Sequence, residues 1–172
     1  MSKITTLEEI FVEQLKNLYS AETQLIDALP EMRQGARDPK LQASFQHYGE
    51  QTYRHADRIE QILGDRDRSP TGHKCDALTG LVKQIKRSIK EEAAAAAKDA
   101  ALVATTRRIL HYTIDGYACA SAYASLLHDE KAGDLLQSTL SEETKLDGEL
   151  TRIAETLQSE TEALAGHCHI IC

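Results

Sequence analysis

One apolar stripe constrains this chain more than any other feature. Over residues 135–157, LLQSTLSEETKLDGELTRIAETL, the positions Leu136, Thr139, Glu143, Leu146, Leu150, Ile153 and Leu157 recur at steps of three and four, the spacing of one helix face. All but one of them suit a core. The exception, Glu143, is a carboxylate in the middle of the stripe. A buried carboxylate needs a cation, a hydrogen-bond donor or a proton. Whatever the chain folds into must bring such a group to Glu143.

Three more long stripes supply candidates. The first helix should start at Thr6, because Thr6 with Glu9 three residues on forms a capping box. Its stripe is Phe11, Leu15, Leu18, Glu22, Leu25, Leu29 and Met32, with Tyr19 beside Glu22 as a hydrogen-bond donor. It fades at Gly35-Ala36-Arg37. Asp38-Pro39 opens the second helix as N-cap and first helical residue. Here the stripe is Leu41, Phe45, Tyr48, Thr52, His55, Ile59 and Ile62, ending at Gly64. Residues 76–90 read as a shorter amphipathic helix, and the run EEAAAAAK (91–98) either extends it or connects it. Asp99 is a plausible N-cap for the third long helix. That stripe, Leu102, Thr106, Ile109, Thr113, Gly116, Ala120, Tyr123 and Leu127, is rich in small residues and has no carboxylate at its centre. The fourth helix follows a break near His128 to Gly133 and should end near Ser159.

Four helices of this kind are each about 40 Å long at 1.5 Å per residue. Short links join the first pair and the second pair. About 35 residues join the pairs, room for a crossover along the bundle. The expected fold is all-α: a ferritin-like four-helix bundle with a long crossover containing a short fifth helix, spanning residues 1–159. Residues 160–172 are expected to lie outside it. Only three Pro and nine Gly interrupt the chain. The formal net charge of −7 argues against a nucleic-acid partner. No apolar run reaches the length of a membrane span. Glu8 and Glu9 stand where a signal peptide would be apolar. The chain is therefore expected in the cytoplasm, with Cys75, Cys119, Cys168 and Cys172 reduced.

The polar residues inside the stripes suggest a metal. Carboxylates neutralise hard cations, and His adds a neutral donor. Glu22, His55 and Glu143 offer such a set, with Asp147 one turn beyond Glu143. Bundles that hold two irons use a Glu from each of two helices and Glu-x-x-His from each of the others. This chain has no strict Glu-x-x-His, so its donors suffice for one metal, iron or another divalent ion, and are thin for two. The alternative is a structural polar layer in which Glu143 pairs with His55 or a tyrosine. Elsewhere, His167-Cys168-His169 with Cys172 resembles a ligand set, though a short cluster without a second pair favours adventitious binding. Cys119 reads as small-residue packing. Lys83, Lys86, Arg87 and Lys90 read as a solvated basic face, with an acidic partner as the alternative.

Five stretches are familiar in combination: LYSAETQLIDALPEM (18–32), QTYRHADRIEQIL (51–63), KCDALTGLV (74–82), DAALVATTRRILHYTIDGY (99–117) and LLQSTLSEETKLD (135–147). In this order and spacing the chain resembles the YciF/YciE-like ferritin-like family over most of residues 5–157. The resemblance implies a homodimeric four-helix bundle with an added short helix, linked to bacterial stress responses, some members carrying metal in the bundle. It also marks departures. Gln51-Thr52 stands where the family usually has Glu-Thr. Leu110-His111-Tyr112-Thr113 stands where it has Glu-His-Tyr-Glu. By this analogy the half-site of Glu22, His55 and bridging Glu143 survives, and the half served by the third helix is impaired. Three readings stay open: a protective or structural stress protein with at most a mononuclear site, a metal-dependent oxidase or iron-handling protein, and a dimerisation or partner-binding module without chemistry.

Overall fold

The capping box at Thr6 forms in both directions. Thr6 Oγ1 accepts from the Glu9 amide at 3.2 Å, and the Glu9 carboxylate accepts from the Thr6 amide at 3.1 Å. Behind it runs α1, Leu7–Gly35. Asp38 Oδ1 accepts from the Leu41 amide at 2.8 Å, and Pro39 begins α2, Pro39–Gly64. Then follow α3 (Asp76–Lys90), α4 (Ala95–Leu126) and α5 (Glu130–Cys168). The computed structural model describes residues 5–72 and 74–168, with side chains through Ser159. Among these residues every regular element is a helix.

Tight turns make α1 and α2 one hairpin and α4 and α5 the other. The crossover carries α3 along the outside, where it packs on α1 and α4. Gly35 permits that approach, since a Cβ there would lie 2.8 Å from Ile89 Cγ1. The apolar interior falls into two clusters. One contains Leu25, Leu29, Phe45, Tyr48, Ile109, Leu110, Leu146 and Leu150. The other contains Leu15, Leu18, Ile59, Ile62, Tyr117, Ala120 and Leu136. In chain position the buried polar residues Glu22, Thr52, His55, Thr113, Thr139 and Glu143 fall between the two on each long helix. A polar layer thus crosses the bundle at mid-height.

Three expectations are revised. Asp99 is not an N-cap. The alanine run divides, with α4 starting at Ala95 and Asp99 lying inside its second turn, 2% exposed. Its carboxylate reaches the α1–α2 turn instead, where it accepts from the amides of Arg37 at 2.8 Å and Asp38 at 2.7 Å. The last helix runs past Ser159 to Cys168. The cluster of His167, Cys168, His169 and Cys172 lies outside the described side chains. Tyr19 donates to Glu60 at 2.5 Å, not to Glu22, because it faces the outer seam between α1 and α2. Its phenol is pushed up to about 12, first by that bond.

The α4–α5 turn invites a stabilising change. His128 sits at φ 56°, with its amide donating to Ser125 O and the Asp129 amide to Ala124 O. This is the left-handed helix stop that glycine fills without strain. His128→Gly is expected to stabilise the protein by about 0.5–1 kcal/mol, after discounting glycine's greater unfolded-state entropy. An unchanged or lower denaturation midpoint would contradict this.

Candidate metal centre

Glu22, His55 and Glu143 come from three helices and have no exposed surface. One ligand atom from each lies within 4.8 Å of the others. His55 Nδ1 is 3.8 Å from Glu22 Oε1 and 3.9 Å from Glu143 Oε1. These gaps exceed a hydrogen bond. They are near the roughly 3.4 Å that separates two ligand atoms on a tetrahedral zinc-like centre. Glu22 Oε2, His55 Nδ1 and both oxygens of Glu143 are buried without a hydrogen-bond partner. Native cores rarely leave polar atoms so, and here four of them meet in one place.

The surrounding groups orient this set. His55 Nε2 lies 2.9 Å from Glu142 Oε2. Arg58 grips the same carboxylate with both ends of its fork, Nη2 to Oε1 at 2.8 Å and Nη1 to Oε2 at 3.0 Å. The Arg58 bonds, with a smaller share from His55, hold the Glu142 carboxyl down to about 2. Glu142 is therefore an acceptor only, and His55 must donate from Nε2. With Nε2 so engaged, Nδ1 is the ring nitrogen turned toward Glu22 and Glu143. This is how an outer carboxylate fixes a metal-ligating histidine. On the opposite side Tyr117 donates to Glu22 Oε1 at 2.6 Å. Burial, then the charges of Glu22 and Glu143, raise its phenol well above normal, so the proton stays on oxygen. Burial also pushes the Glu143 carboxyl well above the usual range, and the neighbouring Glu22 charge adds to the rise.

Asp147 is not brought to this cluster. It turns toward α4, where Arg107 Nε donates to Oδ1 at 2.9 Å and His111 Nε2 lies 3.4 Å from the same oxygen. Burial is the largest single influence and opposes its ionisation, but the bonds and charges of Arg107 and His111 together outweigh it, and the carboxyl stays below its ordinary value. The positions that would complete a two-metal site hold poor donors. Thr52 stands three residues before His55, and its hydroxyl donates to Tyr48 O at 2.8 Å. Thr113 on α4 donates within its own helix to Ile109 O and Leu110 O. Leu146 stands three residues after Glu143. The donor set fits one divalent cation and does not fit two.

Comparison with known proteins agrees with this architecture. The family described as "Domain of unknown function (DUF892)" matches residues 6–163. This chain belongs to the DUF892 family, the YciF-like ferritin-like proteins. Protein YciF of Escherichia coli is 33% identical over 150 residues, which cover 87% of this chain and 90% of YciF. The crystal structure of that E. coli stress protein matches with a TM-score of 0.87 over 91% of this chain and 99% of that one. YcfI of Rhodopseudomonas palustris is 30% identical, with a TM-score of 0.82 over 87% and 95% of the two chains. A ferritin-like, diiron-carboxylate protein of Bacillus anthracis, 16% identical, has a TM-score of 0.69 over 88% and 99%. At that identity it carries the fold alone.

Within this DUF892 chain, three residues bonded to the cluster or its neighbours escape the stripe rule. Tyr117 is next to the stripe position Gly116, whose missing Cβ lets Leu18 Cδ2 come within 2.8 Å of where it would be. Glu142 and Arg58 flank their stripes at the α2–α5 seam. Their only sequence signals are adjacency to Glu143 and one helical turn from His55. No described helix of this family member is long and apolar enough to cross a membrane.

Proposed function

We propose that this chain is a homodimeric, cytoplasmic protein of bacterial stress protection whose bundle core holds one divalent cation, such as iron, manganese or zinc, on Glu22, His55 and Glu143. The observation that carries this reading is the inward Nδ1 of His55 facing two sealed carboxylates, Glu143 with neither oxygen paired and Glu22 with Oε2 unpaired. Kinship with YciF supports the stress role. A bound divalent ion would supply a Lewis-acidic centre with an open position. The chain's own groups do the rest. Glu142 keeps the Nε2 proton and so aims Nδ1. Arg58 neutralises Glu142. Tyr117 fixes Glu22 through Oε1, the oxygen 3.8 Å from His55 Nδ1, and leaves Oε2 unpaired. The site itself is sealed from bulk water.

The hydrogen bond from Tyr117 to Glu22 also supports a second reading, a polar layer that sets helix register without metal. Metal analysis separates the two. The full-length protein, purified without an affinity tag and with His167, Cys168, His169 and Cys172 replaced, is expected to retain about one metal ion per chain, the capacity of a single three-ligand site. Glu143→Gln should abolish it. Absence of stoichiometric metal in the parent, even after anaerobic iron(II), manganese(II) and zinc(II), would leave the register reading.

A further inference from the structure

The three donors have no exposed surface, so a cation reaches them only when a neighbouring group moves. Of the groups bonded to them, Tyr117 is itself sealed. Glu142 is different: its side chain is 24% exposed, and that of Arg58 is 20% exposed. These two bridge α2 and α5, which no turn connects. Arg58 Nη1 also donates to Thr139 Oγ1 at 2.9 Å. Thr139 is one turn before Glu143 on the inward stripe, so the guanidinium straps α5 to α2 within one helical turn of the cluster. Glu142 and Glu143 are consecutive, one at the seam and one inside.

We propose that Glu142 is the port through which the divalent cation enters, and that Arg58 is the counter-ion occupying the port in the metal-free protein. The proposal rests on the metal reading above. Its physical basis is competition for one carboxylate. The fork of Arg58 takes both Glu142 oxygens, and His55 takes one of them as well. An incoming cation meets a carboxylate whose two oxygens already accept three hydrogen bonds, and it must compete with the guanidinium for both of them. When the guanidinium leaves, Glu142 offers a charged ligand in contact with water and one residue from Glu143. Such a strap acts on rates, because it must open for the ion to pass in either direction, and Arg58 touches neither Glu22, Glu143 nor Nδ1. Arg58→Met keeps the aliphatic stem and removes the fork. It should speed zinc(II) uptake and release alike.

The experiment is stopped-flow zinc(II) transfer from and to a chromophoric chelator, on the full-length protein with the tail His and Cys residues replaced. Arg58→Met is expected to raise both rates about 10-fold or more, since a bidentate charge-assisted pair is lost. Arg58→Lys, which keeps the charge but not the fork, should fall between. Arg66→Met is the control for general loosening. It breaks a comparable network, Arg66 with Glu8 and Asp129, at the end of the bundle. Unchanged rates in Arg58→Met, or equal acceleration in Arg66→Met, would overturn the port while stoichiometric zinc binding left the metal reading intact. A large loss of affinity in Arg58→Met would also overturn it, in favour of a positioning role. Failure of the parent to bind zinc or any other divalent ion would overturn both.

Discussion

Glutamine at position 143 is expected to stabilise the metal-free protein while abolishing its hold on metal. Glu143 is sealed, has no hydrogen-bond donor and lies beside a second sealed carboxylate. Glutamine keeps the shape, removes the charge and brings two N–H donors toward the unsatisfied Glu22 Oε2 and His55 Nδ1. Relieving an unpaired buried acid is worth about 1–3 kcal/mol, or several degrees in midpoint for a chain this long. The gain depends on pH with a definite sign. The folded Glu143 carboxyl titrates well above its ordinary 4.5, so the folded state keeps a proton that the unfolded chain releases. Its contribution to stability is full below about 4.5 and falls as pH rises toward the folded value. The difference between Glu143→Gln and wild type should therefore be small near pH 4.5 and largest near pH 8, both in chelator. Glu142, Asp129 and Asp147 shift the other way. Their contributions disappear as pH falls below their ordinary values, outside this window. Zinc at 100 times its dissociation constant would add about 2.7 kcal/mol to the wild type. Changing even an outer-sphere partner costs metal sites about 10–100-fold, so loss of a direct ligand should remove that gain. A variant less stable than wild type at pH 8 in chelator would refute the unpaired-acid account.

Most of this arrangement was legible because a polar residue inside an apolar stripe is a strong signal. Glu22, His55 and Glu143 each carry that signal and lie buried together, and the capping box and Asp38-Pro39 mark where α1 and α2 begin. Periodicity fails where the answer depends on which neighbour a residue faces. Asp147 is one turn from Glu143, yet it leans to the α4 side, where Arg107 waits; spacing along one helix does not distinguish that side from the α2 side. Tyr117 enters the core because Gly116 and its small neighbours let α1 approach, which widens the buried face of α4 beyond a single stripe. Glu142 and Arg58 are partly exposed at a seam, and their roles arise only once α2 and α5 lie side by side. Asp99 misleads for a related reason. An acid after an alanine run looks like a cap, and nothing local reveals two amides arriving from residues 37 and 38.

That long-range contact makes Asp99→Ala the change with the largest expected loss of stability. The carboxylate satisfies the amides of Arg37 and Asp38 with one oxygen each, and it is the link between the α1–α2 turn and the start of α4. Hydrogen bonds to a charged acceptor contribute about 1.5–3 kcal/mol each. Both are part-buried, so the combined loss should be about 2–4 kcal/mol, with a midpoint lower by roughly 5–15 °C at this chain length. Asp99→Ser distinguishes the two roles the residue could have. Serine is among the best N-caps and would preserve stability if Asp99 capped α4. Serine replaces two oxygens that each meet one amide of the α1–α2 turn with a single oxygen of shorter reach, so here it should be nearly as damaging as alanine. Amide exchange at Arg37 and Asp38 should quicken in both variants. The same loss should weaken metal retention, because this turn sets the register of α1 against α2 and thus of Glu22 against His55. Wild-type stability in Asp99→Ser would return Asp99 to the cap that its local sequence suggests.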